Sequence, residues 1–175
     1  MTHIQKPSRR DLARIAAAAA LGIAAESAGA QTPEPPPLRS EFLMDFDNEF
    51  DGPGKGTHEI GVPGGTMSTV AVTGGWFDGP KLKGRFVSPG GDWYIRRADG
   101  SLALDVRVTL QTDDGAKILM TYRGISYTPK GGQYYGRITP VFQTGAERYL
   151  WLNNIVCVGV SKRPAAPGYR VFQIL

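Results

Sequence analysis

Short runs of alternating apolar and polar residues, separated by Gly, Pro and Asp clusters, cover the chain from about residue 40 onwards. Alternation with a period of two is typical of half-buried β-strands, and no run shows the 3.6-residue apolar period and caps of a helix. The pattern predicts nine strands, at 41–46, 66–73, 81–87, 92–97, 102–111, 117–125, 133–139, 149–159 and 169–174.

The spacing between these strands suits antiparallel hairpins. Asp113-Asp114-Gly115 lies between two long predicted strands and is the strongest hairpin signal, because Asp-Gly tolerates positive φ. About nine strands without a helix indicate an antiparallel barrel or a sandwich. We expect the barrel, an all-β cylinder of about eight to nine strands that can hold one small ligand.

The first thirty residues carry a different pattern. Ser8-Arg9-Arg10-Asp11-Leu12 precedes a short apolar run over 15–25 and the small-residue site Ala28-Gly29-Ala30. This is typical of a twin-arginine signal peptide cleaved before Gln31, and it predicts export to the periplasm or secretion. The run is too short to span a bilayer, and nothing in the mature chain is long enough. We expect a signal peptide over 1–30, a Pro-rich spacer over 31–39 and one β-barrel domain over 40–175.

Composition narrows the chemistry. Removing residues 1–30 lowers the net charge from +4 to +2, so the mature chain has no electrostatic footprint for nucleic acid. Cys157 is the only cysteine, and His58 is the only histidine left after cleavage. We therefore expect no His/Cys metal site, no His-based triad and no cofactor. Proton chemistry falls to Asp, Glu, Tyr, Lys or Arg.

Strand alternation divides side chains between two faces. In 102–111 an apolar row alternates with a mixed row of Asp105, Arg107, Thr109 and Gln111. Ile118, Met120 and Tyr122 share a face of the next strand. Two further rows of mixed character are Tyr135, Arg137, Thr139 and, in the predicted strand 149–159, Tyr149, Trp151, Asn153.

Two interpretations of the mixed rows compete. In one, the apolar rows fill the core and the charged rows form a solvated outer surface with weak ion pairs. In the other, Asp105 and Arg107 face a cavity beside the Tyr149 row. The second is favoured because ligand pockets combine Tyr, Trp and amide side chains, whereas solvated faces rarely do.

Pro89-Gly-Gly-Asp-Trp93 is a second candidate region. The glycine pair predicts a tight turn that presents Asp92 and Trp93 at a barrel mouth. The alternative is an ordinary turn in which Asp92 caps its own backbone.

Taken together, these motifs resemble the bacterial domain-of-unknown-function family 3237, also called uncharacterised protein family 0311. The resemblance spans about 40–175 and is carried by Thr73-Gly-Gly75, Gly79-Pro-Lys-Leu-Lys-Gly84, Pro89-Gly-Gly-Asp-Trp93, Leu104-Asp-Val-Arg107, Leu110-Gln-Thr-Asp-Asp-Gly115, Tyr135-Gly-Arg137, Pro140-Val-Phe142 and Tyr149-Leu-Trp-Leu-Asn153. It implies a calycin-like or allene-oxide-cyclase-like barrel with a central cavity, and no settled reaction. It also implies that the polar rows matter. Two departures are Gln143, where a carboxylate is expected, and Ser161, where a glycine is expected.

From these features we expect a cofactor-free enzyme of lyase, isomerase or hydratase type that acts on one small apolar or aromatic oxygenated metabolite. Asp105 or Asp92 would be the base, and Tyr149 would donate a proton. Arg107 or Arg137 would stabilise negative charge. The remaining expected binding residues are Trp93, Tyr122, Trp151 and Asn153. Two alternatives remain open, namely a non-catalytic carrier and a structural subunit of an exported complex.

Overall fold

Nine β-strands account for most of the described residues of this computed structural model, which are 35–51, 58–165 and 168–175. The predicted signal peptide and the first part of the spacer lie outside these ranges. The strands are β1 (Ser40–Phe50), β2 (His58–Val62), β3 (Gly65–Asp78), β4 (Lys83–Arg97), β5 (Leu102–Thr112), β6 (Lys117–Tyr127), β7 (Tyr135–Gln143), β8 (Cys157–Ser161) and β9 (Tyr169–Ile174).

The strands form a closed antiparallel barrel. Each strand from β3 to β8 pairs with the next along the chain, and β1 pairs with β9 on one side and with β3 on the other. The cylinder therefore has eight strands, and β2 is an additional strand paired with the first part of β3. The all-β barrel predicted from the alternation is confirmed.

The strands 81–87 and 92–97, predicted as separate, are one strand, β4. The expected turn at Pro89-Gly-Gly is wrong, because Gly90 and Gly91 stay in the sheet opposite Val72 and Ala71 of β3. Pairing shifts register there on both sides of β4, so the segment bends within the sheet instead of reversing. Glycine suits this bend, since a Cβ on Gly90 would lie 3.0 Å from the Val108 side chain.

The predicted strand 149–159 is wrong over its first half. Residues Glu147–Asn154 form a 3₁₀ helix, and only Cys157–Ser161 is a strand. Tyr149 and Leu152 are three residues apart, so they lie on the same side of a 3₁₀ helix, and both are buried. The Tyr149 hydroxyl donates a hydrogen bond to Asp114 Oδ2 at 3.0 Å, which ties the helix to the β5–β6 hairpin. The helix thus closes one end of the barrel.

The barrel interior is apolar over most of its length. Its centre is Phe46, which is fully buried and whose ring centroid lies 5.6–5.8 Å from those of Phe86, Tyr122 and Tyr169. The apolar rows of the neighbouring strands supply the other fully buried core residues, which include Val106, Leu110, Ile118, Met120, Ile138, Phe142 and Val171.

Replacing Phe46 by Ala is expected to lower the free energy of unfolding by about 3–5 kcal/mol, because it removes the ring that the other aromatic side chains pack against. Urea denaturation measures this loss. Phe42→Ala, on the same strand but facing outward, is the matched control, with an expected loss of about 1 kcal/mol or less. Equal losses for the two variants would contradict the assignment of faces.

Candidate functional site

A cavity of about 250 Å³ opens at the end of the barrel opposite the 3₁₀ helix. Drug-sized ligands usually occupy pockets of about 300–1,000 Å³, so this cavity suits a smaller molecule. Its wall combines the apolar side chains of Leu102 and Leu104 with hydroxyl, amide and carboxyl groups, and Arg163 lies at its rim.

Asp92 and Tyr122 lie in one row across the inside of the sheet. Asp92 of β4 is opposite Val106 of β5, and Val106 is opposite Tyr122 of β6. Two strand spacings place the Cα atoms of Asp92 and Tyr122 about 10 Å apart. Since Val106 between them is fully buried, all three side chains point towards the barrel axis.

Asp92 is a largely buried carboxyl group in the wall of the cavity. Its side chain is buried, and this burial raises the pKa of Asp92 to about 6. The backbone N–H of Asp105, 3.4 Å from Asp92 Oδ1, acts in the opposite direction, and the Asp105 charge raises the pKa slightly further. Asp92 therefore changes protonation state close to neutral pH, which is the range in which a general acid or base works best.

Tyr122 is held by Asn48 of β1, whose Nδ2 donates a hydrogen bond to the Tyr122 hydroxyl at 2.7 Å. Burial raises the pKa of Tyr122 well above its ordinary value, and the neighbouring Tyr169 and Asp92 add to this effect. Burial likewise raises the pKa of Tyr169, whose ring centroid lies 6.2 Å from that of Tyr122. Both hydroxyls therefore keep their protons at neutral pH and can donate hydrogen bonds to a ligand.

Of the residues predicted for the site, Asp92 and Tyr122 line this cavity. Asp105 and Arg107 do not, and the expectation that they face inward is wrong. They lie on the outer face of β5, where Asp105 forms ion pairs with Arg107 at 3.6 Å and Arg123 at 3.3 Å. The alternate row, with Val106 and Val108, takes the inside because it is apolar throughout.

The expected neighbours of Asp105 also lie elsewhere. Tyr149, Trp151 and Asn153 belong to the 3₁₀ helix at the opposite end. Tyr149 and Trp151 pack on the core there, and the Asn153 amide forms hydrogen bonds with backbone groups of Thr144 at 2.8 and 2.9 Å. These contacts fasten the helix to the end of β7, and none of the three residues lines the cavity that contains Asp92.

Trp93 and Arg137 lie on the outer surface of the barrel. The Arg107 guanidinium stacks over the Trp93 ring at 5.7 Å, and Arg137 stacks over Tyr135 at 4.4 Å. Trp93 faces outward because it follows Asp92 directly, and adjacent residues of a strand point to opposite faces. Of the two departures from the family pattern, Gln143 is exposed and Ser161 lines the cavity.

Several cavity residues were not predicted from the sequence. Asn48 was missed because the first strand was predicted to end at residue 46, although the alternation of Met44 and Phe46 continues to Asn48. Tyr169 begins a correctly predicted strand. Its place on the same face as Val171 was the signal that it points into the barrel. Ser126, Tyr134 and Arg163 lie at strand ends or in loops, where alternation carries no information.

The described residues contain no group of three or more His, Cys, Asp or Glu side chains arranged to hold a metal ion. No helix within those same ranges is long and apolar enough to cross a membrane.

The sequence of this chain matches a protein-family model and is similar to several known proteins. The model of a family described as a protein of unknown function, DUF3237, matches residues 38–174. A UPF0311 protein from Rhodopseudomonas palustris is 30% identical over 120 residues, which cover 61% of this chain and 77% of that protein.

The chain is also similar to a sequence and to a solved structure from a fungus. The hydroalkoxylation enzyme phnH of Penicillium herquei is 35% identical over 89 residues, which are 50% of this chain and 52% of that enzyme. This chain thus spans about half the length of phnH in the alignment. The crystal structure of an enzyme from Penicillium herquei superposes with a TM-score of 0.66 and 27% identity, covering 81% of this chain and 98% of the other.

Asp92→Asn is expected to stabilise the protein at neutral pH. A raised pKa means that the folded state favours protonated Asp92. The stability contributed by this protonated group is therefore fully present below the unfolded pKa near 4, and it is lost as pH rises through the folded pKa of about 6. Removing the charge therefore increases the free energy of unfolding by up to about 3 kcal/mol at pH 8 and leaves it nearly unchanged at pH 4.

Urea denaturation of the wild type and the variant at both pH values measures this difference. Asp105→Asn is the matched control on the outer face, and its loss of surface ion pairs gives no such gain. A variant that is no more stable than the wild type at pH 8 would show that Asp92 is not held in a desolvating site.

Proposed function

Because the chain belongs to the DUF3237 family of proteins of unknown function, whose name specifies no reaction, we propose a function from the cavity itself. The protein is a cofactor-independent enzyme that adds an oxygen–hydrogen bond across a carbon–carbon double bond, or reverses that addition. Its substrate is a small, largely apolar oxygenated molecule bound in the mouth of the barrel. Asp92 moves the proton.

The observation that carries this proposal is a buried carboxyl group facing two tyrosine hydroxyls across an open cavity. Asp92 has no cationic partner within 4 Å among the described residues, so no ion pair fixes it in the charged state. A buried carboxylate without such a partner lowers the stability of the folded protein, and destabilising groups of this kind cluster at functional sites.

The chemistry of the phnH relative supports the same class of reaction. Hydroalkoxylation adds the O–H bond of an alcohol across a carbon–carbon double bond, so a proton leaves oxygen and a proton reaches carbon, with no net oxidation. One carboxyl group with a pKa near 6 can perform both transfers, first as the base and then as the acid. Tyr122 and Tyr169 supply hydrogen-bond donors for negative charge that develops on substrate oxygen.

Asp92→Asn is expected to lower kcat/KM by about 100-fold or more, because the amide cannot accept the proton. The assay is chromatography coupled to mass spectrometry on a panel of alkenyl phenols and alkenyl alcohols, in which ring closure gives a product of unchanged mass. The wild-type kcat/KM should rise with pH to a plateau above an apparent pKa near 6, and the variant should show no such step.

Asp105→Asn is the control, because it removes a carboxylate from the outer face of the neighbouring strand. Its activity should stay within about threefold of the wild type. Equal losses in the two variants would contradict the assignment of the base to Asp92. Binding of panel compounds without any turnover by the wild type would favour the non-catalytic carrier over the enzyme.

We also propose that the enzyme acts outside the cytoplasm, with the N-terminal residues directing export by the twin-arginine route. The support is the sequence alone, namely the paired Arg9 and Arg10, the short apolar run and the small-residue site before Gln31.

Replacing Arg9 and Arg10 together by Lys is expected to retain the full-length chain in the cytoplasm, whereas the wild type appears in the periplasm with Gln31 as its first residue. Cell fractionation with intact-mass measurement shows both. Arg39→Lys, beyond the predicted cleavage site, should be exported normally. A wild-type chain that stays uncleaved in the cytoplasm would contradict export.

A further inference from the structure

The Asn48–Tyr122 pair points to a narrower substrate class within the proposed function. We propose that the Tyr122 hydroxyl, oriented by Asn48, donates a hydrogen bond to a ketone oxygen, and that the substrate is a hydroxylated enone whose double bond is conjugated to that ketone. Asn48 is a positioning residue, since it acts through Tyr122. This inference rests on the cavity of the proposed function and identifies what the cavity recognises.

The direction of the Tyr122 O–H bond follows from its hydrogen bonding. Asn48 Nδ2 donates to the Tyr122 oxygen at 2.7 Å and so occupies one of its acceptor positions. Among the described residues, Tyr122 has no acceptor for its own proton. A hydroxyl that is buried, protonated and already accepting one hydrogen bond is therefore left with a donor for a ligand in the cavity that it lines.

Asn48 is retained at a cost. Its Oδ1 is buried and has no hydrogen-bond partner among the described residues, whereas buried polar atoms are nearly always paired. An apolar residue at this position would avoid that cost and lose the N–H that orients Tyr122. The position of Asn48 is set by barrel closure, because β1 pairs there with Gly75 of β3.

The placement of Asp92 and Tyr122 separates two roles within one small molecule. The two residues lie in the same row, one buried strand residue apart, and the charge of Asp92 affects the Tyr122 hydroxyl without a direct hydrogen bond between them. A ligand between them can present a hydroxyl to Asp92 and a carbonyl oxygen to Tyr122. The apolar Leu102 and Leu104 line the cavity for its ring or hydrocarbon part.

The addition then balances without a further reactant. Asp92 takes the proton from the substrate hydroxyl, whose oxygen forms a bond to the β-carbon of the enone. The π electrons of the double bond move to the carbonyl oxygen, and the resulting enolate is stabilised by the Tyr122 O–H group. Protonated Asp92 returns its proton to the α-carbon, which restores the carboxylate and the ketone.

Binding of α-tetralone tests the carbonyl contact, because this ketone has neither a hydroxyl nor a conjugated alkene and cannot react. Tetralin, the same bicycle without the carbonyl, is the matched ligand. The wild type is expected to bind α-tetralone about tenfold more tightly than tetralin, as one net hydrogen bond allows. Infrared spectroscopy of carbonyl-labelled α-tetralone should show a lower C=O stretching frequency in the wild-type complex than in the Tyr122→Phe complex.

Asn48→Asp separates positioning from packing. The carboxylate has almost the same shape as the amide but accepts the Tyr122 proton, so the donor turns away from the cavity. Both the tenfold preference and the lowered frequency should then disappear, as in Tyr122→Phe. Tyr135→Phe removes a hydroxyl from the exposed surface of the barrel, outside this cavity, and should retain both signals. Urea denaturation checks that each variant is folded.

Equal affinities for the two ligands, or the same carbonyl frequency in the wild type, Tyr122→Phe and Asn48→Asp, would overturn this inference. The result does not depend on proton transfer, so Asp92→Asn should keep the carbonyl signature. Carbonyl recognition without turnover of hydroxylated enones would support this contact and contradict the proposed reaction. Turnover of alkenyl phenols that lack a carbonyl, with no carbonyl signature, would support the proposed reaction and contradict this contact.

Discussion

Pairing of β1 with β3 is the interaction on which the rest of this structure depends, because it turns an open sheet into a cylinder. The two sides of the sheet meet at this seam, and only glycine fits at Gly75. There φ is +134°, and a Cβ would lie 2.1 Å from the Asp47 carbonyl oxygen. The same seam brings Phe46 into the centre of the core and Asn48 against Tyr122. By closing the sheet, this pairing separates an inner face, which forms the core and the cavity, from an outer face.

The barrel has two unlike ends. At one end, aromatic and aliphatic side chains fill the interior and the 3₁₀ helix covers them. At the other end, a buried carboxyl group and hydroxyl groups line an open cavity. Burying Asp92 costs free energy whenever it is ionised, and the apolar end offsets that cost. The molecule therefore concentrates its stability away from the proposed ligand site.

The sequence was informative wherever one physical pattern decided the outcome. Period-two alternation located most strands, and Tyr169–Ile174 was predicted with its observed ends. The sequence did not show which row of β5 faces the barrel interior. The row with Asp105 and Arg107 was predicted to face inward because the neighbouring Tyr149 row has the composition of a ligand pocket. That row belongs to a 3₁₀ helix, in which the three-residue spacing of Tyr149 and Leu152 places both on the side that packs on the core.

Two further errors have local causes. Gly90 and Gly91 are typical of a turn, but strands on both sides hold them in the sheet, so tertiary pairing overrides the local preference. Asn48 is polar and follows the apolar part of β1, so it resembled the start of a loop. Its role depends on Tyr122, 74 residues away, and a contact at that separation leaves no periodic trace in one sequence.

The separation of the two ends also bears on how such proteins diversify. Substitutions at widely separated positions usually change stability independently. The connections after β6 and β8 contribute Tyr134, Arg163 and Gly168 to the cavity, whereas the closed end comes from the β3–β4 and β5–β6 hairpins and the 3₁₀ helix. Mutation can therefore remodel the rim while selection on folding acts at the other end. A barrel built in this way can keep its architecture through extensive sequence drift and acquire new ligands by exchanging a few residues at its mouth.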